Sequence, residues 1–159
     1  FPEEGKYHYD GHRACKTSLH PEDTKKLKGL CPVCGRKVTV GVMSRVEALA
    51  DRPEGFKPLD AIPFKNTVTL DKIIGDAIGV GETSKVVRQE YKKLIEHFGN
   101  EFSILLEVPV SDLAPSTLPE IAEGIRRMRE GKVRVEPGYD GEYGKIEIFA
   151  EGEQKTLTK

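Results

Sequence analysis

"GHRACKTSLHPEDTKKLKGLCPVCGRKVTVG", residues 11–41, holds all three cysteines of the 159-residue chain, Cys15, Cys31 and Cys34. Disulfides use cysteines in pairs, and an all-thiolate metal site needs four sulfurs, so an odd count asks for a donor of another kind. His12 supplies it. It stands three positions before Cys15, as Cys31 stands three before Cys34, and the pattern reads H-x2-C-x15-C-x2-C. That is the ligand spacing of a zinc ribbon with histidine in the first position, since tetrahedral Cys3His sites accept imidazole nitrogen and thiolate sulfur alike. In C-P-V-C-G a tight turn aims two sulfurs at one point, and Gly35 tolerates the backbone conformation that follows. Four protein ligands leave no open position for a catalytic water, so the expected Zn2+ is structural. In so short a segment it dominates folding, because structural zinc contributes about 10–16 kcal/mol in small fingers. "HYDGHRAC" offers His8 as a rival ligand, but the x2 spacing favours His12; His20 reads as a solvated loop residue.

Working outward, "RKVTVGV" alternates and predicts the strand that closes the ribbon, with Val38, Val40 and Val42 on one face. "SRVEALAD" fits one or two helical turns. Between Asp51 and Asn66, "DRPEGFKPLDAIPFKN" carries three prolines and a glycine and predicts an extended connector, partly packed through Phe56, Leu59, Ile62 and Phe64. Helical patterns follow. Thr69 is a candidate N-cap for a helix whose apolar face is Leu70, Ile73, Ile74, Ala77 and Ile78. A second helix runs from about Ser84 to His97, burying Val87, Tyr91, Leu94, Ile95 and Phe98. "EFSILLEV" predicts a further helix through Phe102, Leu105 and Leu106, although a buried strand has the same signature. Thr117 and Glu120 suggest a capping box before Ile121, Ile125 and Met128. "KVRVEPGYDGEYGKIEIF" reads as a hairpin. The fold class is therefore α+β: a zinc-ribbon domain over residues 1–45, a connecting segment over 46–68, and a helical domain over 69–159 ending in a β-hairpin.

Composition limits the function classes. At 37% hydrophobic residues the chain can bury a modest core, and no apolar run approaches the roughly 20 residues that cross a bilayer. No charged-then-apolar signal opens it, so a cytoplasmic protein is expected, and a start at Phe1 rather than Met reads as a piece of something longer. Net charge is −1, but residues 1–45 hold nine Lys and Arg against five Asp and Glu, leaving +4 there and −5 in the remainder. Bulk charge gives no reason to expect nucleic acid; its distribution is less neutral.

Beyond the ribbon, "IGVGETSKVV" joins two helices with the hydrophobic-Gly-hydrophobic-Gly pattern of a helix-hairpin-helix. There, glycines let backbone N–H groups at a helix N-terminus approach a DNA phosphate without reading sequence. Gly79, Gly81, Ser84 and Lys85 are the candidate contacts; a plain helix-helix turn explains the same glycines. A P-loop is a worse match, because Ser84 rather than glycine precedes Lys85. The basic cluster around Arg126 and Arg127 is a second candidate DNA contact, with solvated helix surface as its simpler reading. Tyr139 and Tyr143 in "PGYDGEYG" could stack on an unpaired base, though turn chemistry alone accounts for the glycines there. Four histidines, one or two of them used by the ribbon, leave no cluster for metal-dependent hydrolysis and no partner for a Ser or Cys nucleophile, so the chain alone is not expected to be an enzyme.

"KYHYDGHRAC", "CPVCGRKVTVGVMSRVEALADRPEG", "GNEFSILLEVP" and "GKVRVEPGYDGEYGKIEIF" together resemble the C-terminal half of the endonuclease Q family, archaeal and some bacterial DNA-repair nucleases whose relatives often carry helicase-related names. The resemblance spans nearly the whole chain. It implies an N-terminal polymerase-and-histidinol-phosphatase (PHP) catalytic domain with a multi-metal site, absent here, followed by a zinc-binding domain and a helical domain. It also implies a hydrolase that cuts DNA on the 5′ side of uracil, hypoxanthine and xanthine and at abasic sites. His12, Cys15, Cys31 and Cys34 fall on the zinc motif, whereas the nuclease's metal ligands have no counterpart. The implied role is the non-catalytic DNA-engaging part of such an enzyme, nucleoid-associated, with double-stranded and damaged DNA and the missing catalytic domain as partners. A zinc-ribbon docking module for a repair protein, and an RNA-binding module, stand as alternatives.

Overall fold

The computed structural model describes residues 1–150 and Glu153. It is α+β, and its residues group into two compact units, Phe1–Phe64 with Val135–Lys145, and Lys65–Arg134 with the chain from Ile146 onward. Among the described residues no helix is long and apolar enough to cross a membrane.

In the first unit, strands β1 (Asp10–His12) and β2 (Thr17–Leu19) pair antiparallel, with Asp10 opposite Leu19 and His12 opposite Thr17. A 3-10 turn, Arg13–Cys15, joins them and ends on Lys16 in the left-handed region at φ 50°. This hairpin therefore carries His12 and Cys15 at its tip. Helix α1 (Pro21–Lys26) follows, with His20 as N-cap: its Nδ1 accepts the Glu22 N–H at 3.4 Å, a more specific role than a solvated loop residue. A bridge between Leu30 and Lys37 closes the turn that bears Cys31 and Cys34, and another ties Gly11 to Thr39.

The strand expected over "RKVTVGV" is reduced to those two bridges. Gly41 ends the extended chain and helix α2 (Val42–Leu49) begins, leaving Val38 buried and Val40 and Val42 exposed. The reason lies in Asp10. Fully buried, it accepts the Gly41 N–H at 2.6 Å on one oxygen and the Ser44 hydroxyl at 2.6 Å on the other, holding a carboxylate at the start of α2. The connector also differs from expectation. Residues 51–66 form neither helix nor strand, and Leu59, Ile62 and Phe64 are 110%, 90% and 81% exposed rather than packed. Pro53, Pro58 and Pro63 interrupt any hydrogen-bonded element that could turn these side chains to one face.

The second unit is helical: α3 (Leu70–Ile78), α4 (Lys85–Phe98), a π-helical turn at Ser103–Glu107, α5 (Val110–Leu113) and α6 (Pro119–Arg129). Leu70, Ile73, Ile74, Val87, Leu94, Ile121, Ile125 and Met128 are buried at the helical spacing read from the sequence. In "EFSILLEV" the buried pair is Ile104 and Leu105, while Phe102 is exposed. The π-helical winding rotates the face, and Arg129 holds it by donating to the carbonyls of Leu105 at 2.7 Å and Ile104 at 2.6 Å. No capping box forms at Thr117: its hydroxyl donates to Glu90 at 2.7 Å, and α6 starts instead with Leu118 as N-cap and Pro119 in its first turn.

Strands β3 (Arg134–Glu136) and β4 (Lys145–Glu147) pair as the predicted hairpin. Its loop groups with the first unit, not with residues 69–159 as the sequence division has it. Gly138 donates to the Glu3 carbonyl at 2.8 Å and accepts from Tyr9 N–H at 2.9 Å, while Gly141 and Gly144 donate to Lys6 and Glu4 carbonyls at 3.0 and 3.1 Å. Such close backbone packing requires Gly138, where a Cβ would overlap the Gly5 carbonyl oxygen. Residues 151, 152 and 154–159 of the expected helical domain lie outside the described residues.

Candidate metal centre and nucleic-acid contacts

His12, Cys15, Cys31 and Cys34 converge so that their donor atoms all lie within 4.8 Å of one another, a group that could hold a metal ion. The β1–β2 hairpin delivers the first two. The second pair comes from a turn closed by the Gly35 N–H to the Cys31 carbonyl at 2.8 Å, and by the Cys31 N–H to the Arg36 carbonyl at 2.7 Å. His12 Nδ1 and Cys34 Sγ are 3.5 Å apart. A tetrahedral zinc at its usual bond lengths sets nitrogen and sulfur ligands about 3.6 Å apart, so the donor set fits the ion. His8 is not in the cluster; its carbonyl instead accepts from Met43 N–H at 3.0 Å.

The electrostatics around the sulfurs are uneven. Burial resists ionisation of Cys31, but the N–H groups of Cys34 and Val33 and the Thr17 hydroxyl, 3.8 Å from its sulfur, bring the thiol down to about 6. Cys15 is pushed up to about 11 by desolvation and by hydrogen bonds with Cys34 and Cys31. A bound cation would release the protons that remain on the thiols.

Asp140, from the β3–β4 loop, braces the hairpin that carries His12 and Cys15. It accepts the Arg13 N–H at 2.6 Å and the Thr39 hydroxyl at 2.5 Å, and these bonds, then the charge of Arg13, lower its carboxyl from the ordinary range. Sequence reasoning missed both Asp140 and Asp10, because their partners lie 127 and 31 residues away along the chain.

The remaining candidates lie in the helical unit. Gly79 ends α3 in the left-handed region at φ 71°, and Ser84 caps α4 by accepting the Val87 N–H at 3.3 Å, so Lys85 opens the helix exposed to solvent. A Cβ at Gly81 would meet open space. Arg88 donates to the Thr83 carbonyl at 3.0 Å and places a second cation at this turn. Arg126 and Arg127 are brought together differently. Arg126 grips Glu123 and Glu130, each at 2.7 Å, and Arg127 grips Glu123 and Glu153, each at 2.9 Å. Hydrogen bonds from Arg126, and then from Arg127, hold the Glu123 carboxyl down at about 2 against its partial burial.

Fold and site together define a class: a small α+β protein pairing a unit whose Cys3His cluster could hold a metal ion with a helical unit. Comparisons with known proteins narrow it. Residues 69–132 match the MJ0043 C-terminal domain family. Over 149 residues the chain is 37% identical to the uncharacterized protein MJ0043 of Methanocaldococcus jannaschii, covering 91% of this chain and 18% of that protein. It is 29% identical over 143 residues to the uncharacterized protein YqxK of Bacillus subtilis, covering 89% of this chain and 33% of that one. Among solved structures, it superposes on the lesion-specific endonuclease PfuEndoQ of Pyrococcus furiosus with a TM-score of 0.80 and 33% identity, covering 92% of this chain and 36% of that one. An endonuclease Q in complex with a 27-mer duplex bearing an abasic lesion at its active site matches with a TM-score of 0.76 and 33% identity, covering 94% and 37%. The chain has an endonuclease Q-like relationship over most of its own length, and spans about a third or less of each of these relatives.

Proposed function

We propose that this chain is the non-catalytic, zinc-holding and DNA-engaging portion of an endonuclease Q-like repair nuclease, the first unit being its zinc-ribbon domain. The carrying observation is the likeness to a lesion-specific endonuclease over 92% of this chain. The Cys3His cluster supports a structural zinc, which would fasten the β1–β2 hairpin to the Cys31–Cys34 turn and supply folding energy rather than chemistry. The turn from Gly79 to Lys85 suits a phosphate grip: its N-terminal helix amides point along the dipole, and Lys85 and Arg88 add charge. Arg126 and Arg127 are weaker candidates, since acids on and near their own helix already neutralise them. In the intact nuclease, the cut beside uracil, hypoxanthine or an abasic site would belong to a separate catalytic domain.

The test is fluorescence anisotropy of the zinc-loaded chain against duplexes with and without one deoxyuridine or deoxyinosine, at low and moderate salt. Salt-sensitive binding to both duplexes supports the phosphate grip, and preference for the damaged one would place lesion recognition in this portion. Binding to neither overturns the DNA reading. The exposed apolar run Leu59, Ile62 and Phe64 then favours the second reading, a docking module for a repair protein.

A further inference from the structure

The β3–β4 loop forms one wall of a cleft of about 340 Å³ whose other wall is the tip of the hairpin that carries His12 and Cys15. Three cations line it, Arg13, Lys16 and Lys145, together with the rings of Tyr139 and Tyr143. Glu136 and Glu142 line it too, so cations outnumber carboxylates. Tyr143 is 69% exposed, and the Lys6 ammonium stands over its ring, 4.4 Å from the centroid, adding a fourth cation at the cleft. The walls are fixed in advance. Tyr139 and Glu142 exchange backbone hydrogen bonds at 3.1 and 2.8 Å, Asp140 anchors the Arg13 backbone at 2.6 Å, and the Arg13 guanidinium reaches Glu142 at 3.7 Å.

A partner that uses the cations and the ring must bring an anion and a flat ring within one small volume. We propose that the cleft holds a single unstacked nucleotide of a DNA strand, with its phosphate against Arg13, Lys16 and Lys145 and its base on the Tyr143 ring. Aromatic platforms flanked by basic side chains hold single strands in this way, tolerant of sequence because every base has a π face. The proposal rests on the DNA reading above but assigns a separate contact, to unpaired rather than duplex DNA.

The zinc-loaded full chain is titrated with a labelled oligothymidylate, a fully paired duplex, and a duplex with one unpaired thymidine. Tyr143→Ala should weaken binding to the oligothymidylate and the bulged duplex by roughly five- to hundredfold, and leave the paired duplex within about twofold of wild type. Tyr143→Phe should keep wild-type affinity for all three, and Lys16→Ala should flatten the salt dependence of single-strand binding by about one phosphate contact. No loss with Tyr143→Ala, or equal loss on paired and unpaired DNA, overturns the cleft while leaving the duplex grip standing. Binding to the oligothymidylate through Tyr143 without any duplex binding supports the cleft and overturns the grip. Tighter binding to an oligouridylate than to the oligothymidylate overturns the assignment to DNA.

Discussion

Single residues decide whether the first unit exists. Cys31 is the buried member of the Cys3His group, so Cys31→Ser should abolish metal binding and unfold the first unit, while the helical signal in far-UV circular dichroism is kept. Retention of one metal equivalent by elemental analysis would overturn the ligand set. Asp10 accepts two hydrogen bonds with no solvent to replace them, and Asp10→Ala should cost about 2–4 kcal/mol in urea melts of that unit. In the helical unit, Glu123 is held at about 2, below the ordinary 4.5, so its contribution is present above pH 4.5 and lost as pH falls towards 2. Glu123→Gln should therefore cost about 1–2 kcal/mol at neutral pH, allowing for screening of its partly exposed arginine partners, and almost nothing near pH 2. That His12, Cys15, Cys31 and Cys34 would cluster was legible from spacing alone, since a metal site imposes short, regular intervals on its donors. Asp10 and Asp140 were not, because an isolated aspartate carries no pattern until the chain folds back to its partner.

At the scale of elements, local periodicity reported the helices well. The faces of α3, α4 and α6 are those the sequence shows, because a single stripe of Ile, Leu and Val at 3.6-residue spacing has only one way to be buried. It failed where backbone geometry is set from outside. The valine alternation after the Cys31–Cys34 turn is cut short by Asp10, and the face of "EFSILLEV" is rotated by π winding under Arg129. The glycines divide in a way that can be tested. Gly138→Ala puts a Cβ into backbone of the first unit and should destabilise it by more than about 2 kcal/mol, read as a lowered urea midpoint. Gly81→Ala meets open space at an ordinary φ and should fold with wild-type stability. If a phosphate approaches this turn, the same variant should still weaken duplex binding by anisotropy, which a purely structural turn would not do.

For the whole molecule, a metal on the Cys3His cluster would stabilise the first unit and helical packing the second, so a strong chelator should lower the melting temperature of one transition in calorimetry and leave the other in place. A single transition that shifts as a whole would show the two units to be one cooperative body. The sequence by itself determined the α+β class, the Cys3His cluster and the helical faces, because each depends on residues close together in the chain and on the period of one element. Only the tertiary structure decided that the β3–β4 loop belongs with the first unit, that Arg126 and Arg127 are spent on acids, and that the apolar connector is bare. These depend on which distant segments meet, and neither charge nor hydrophobicity read along the chain encodes its own partner.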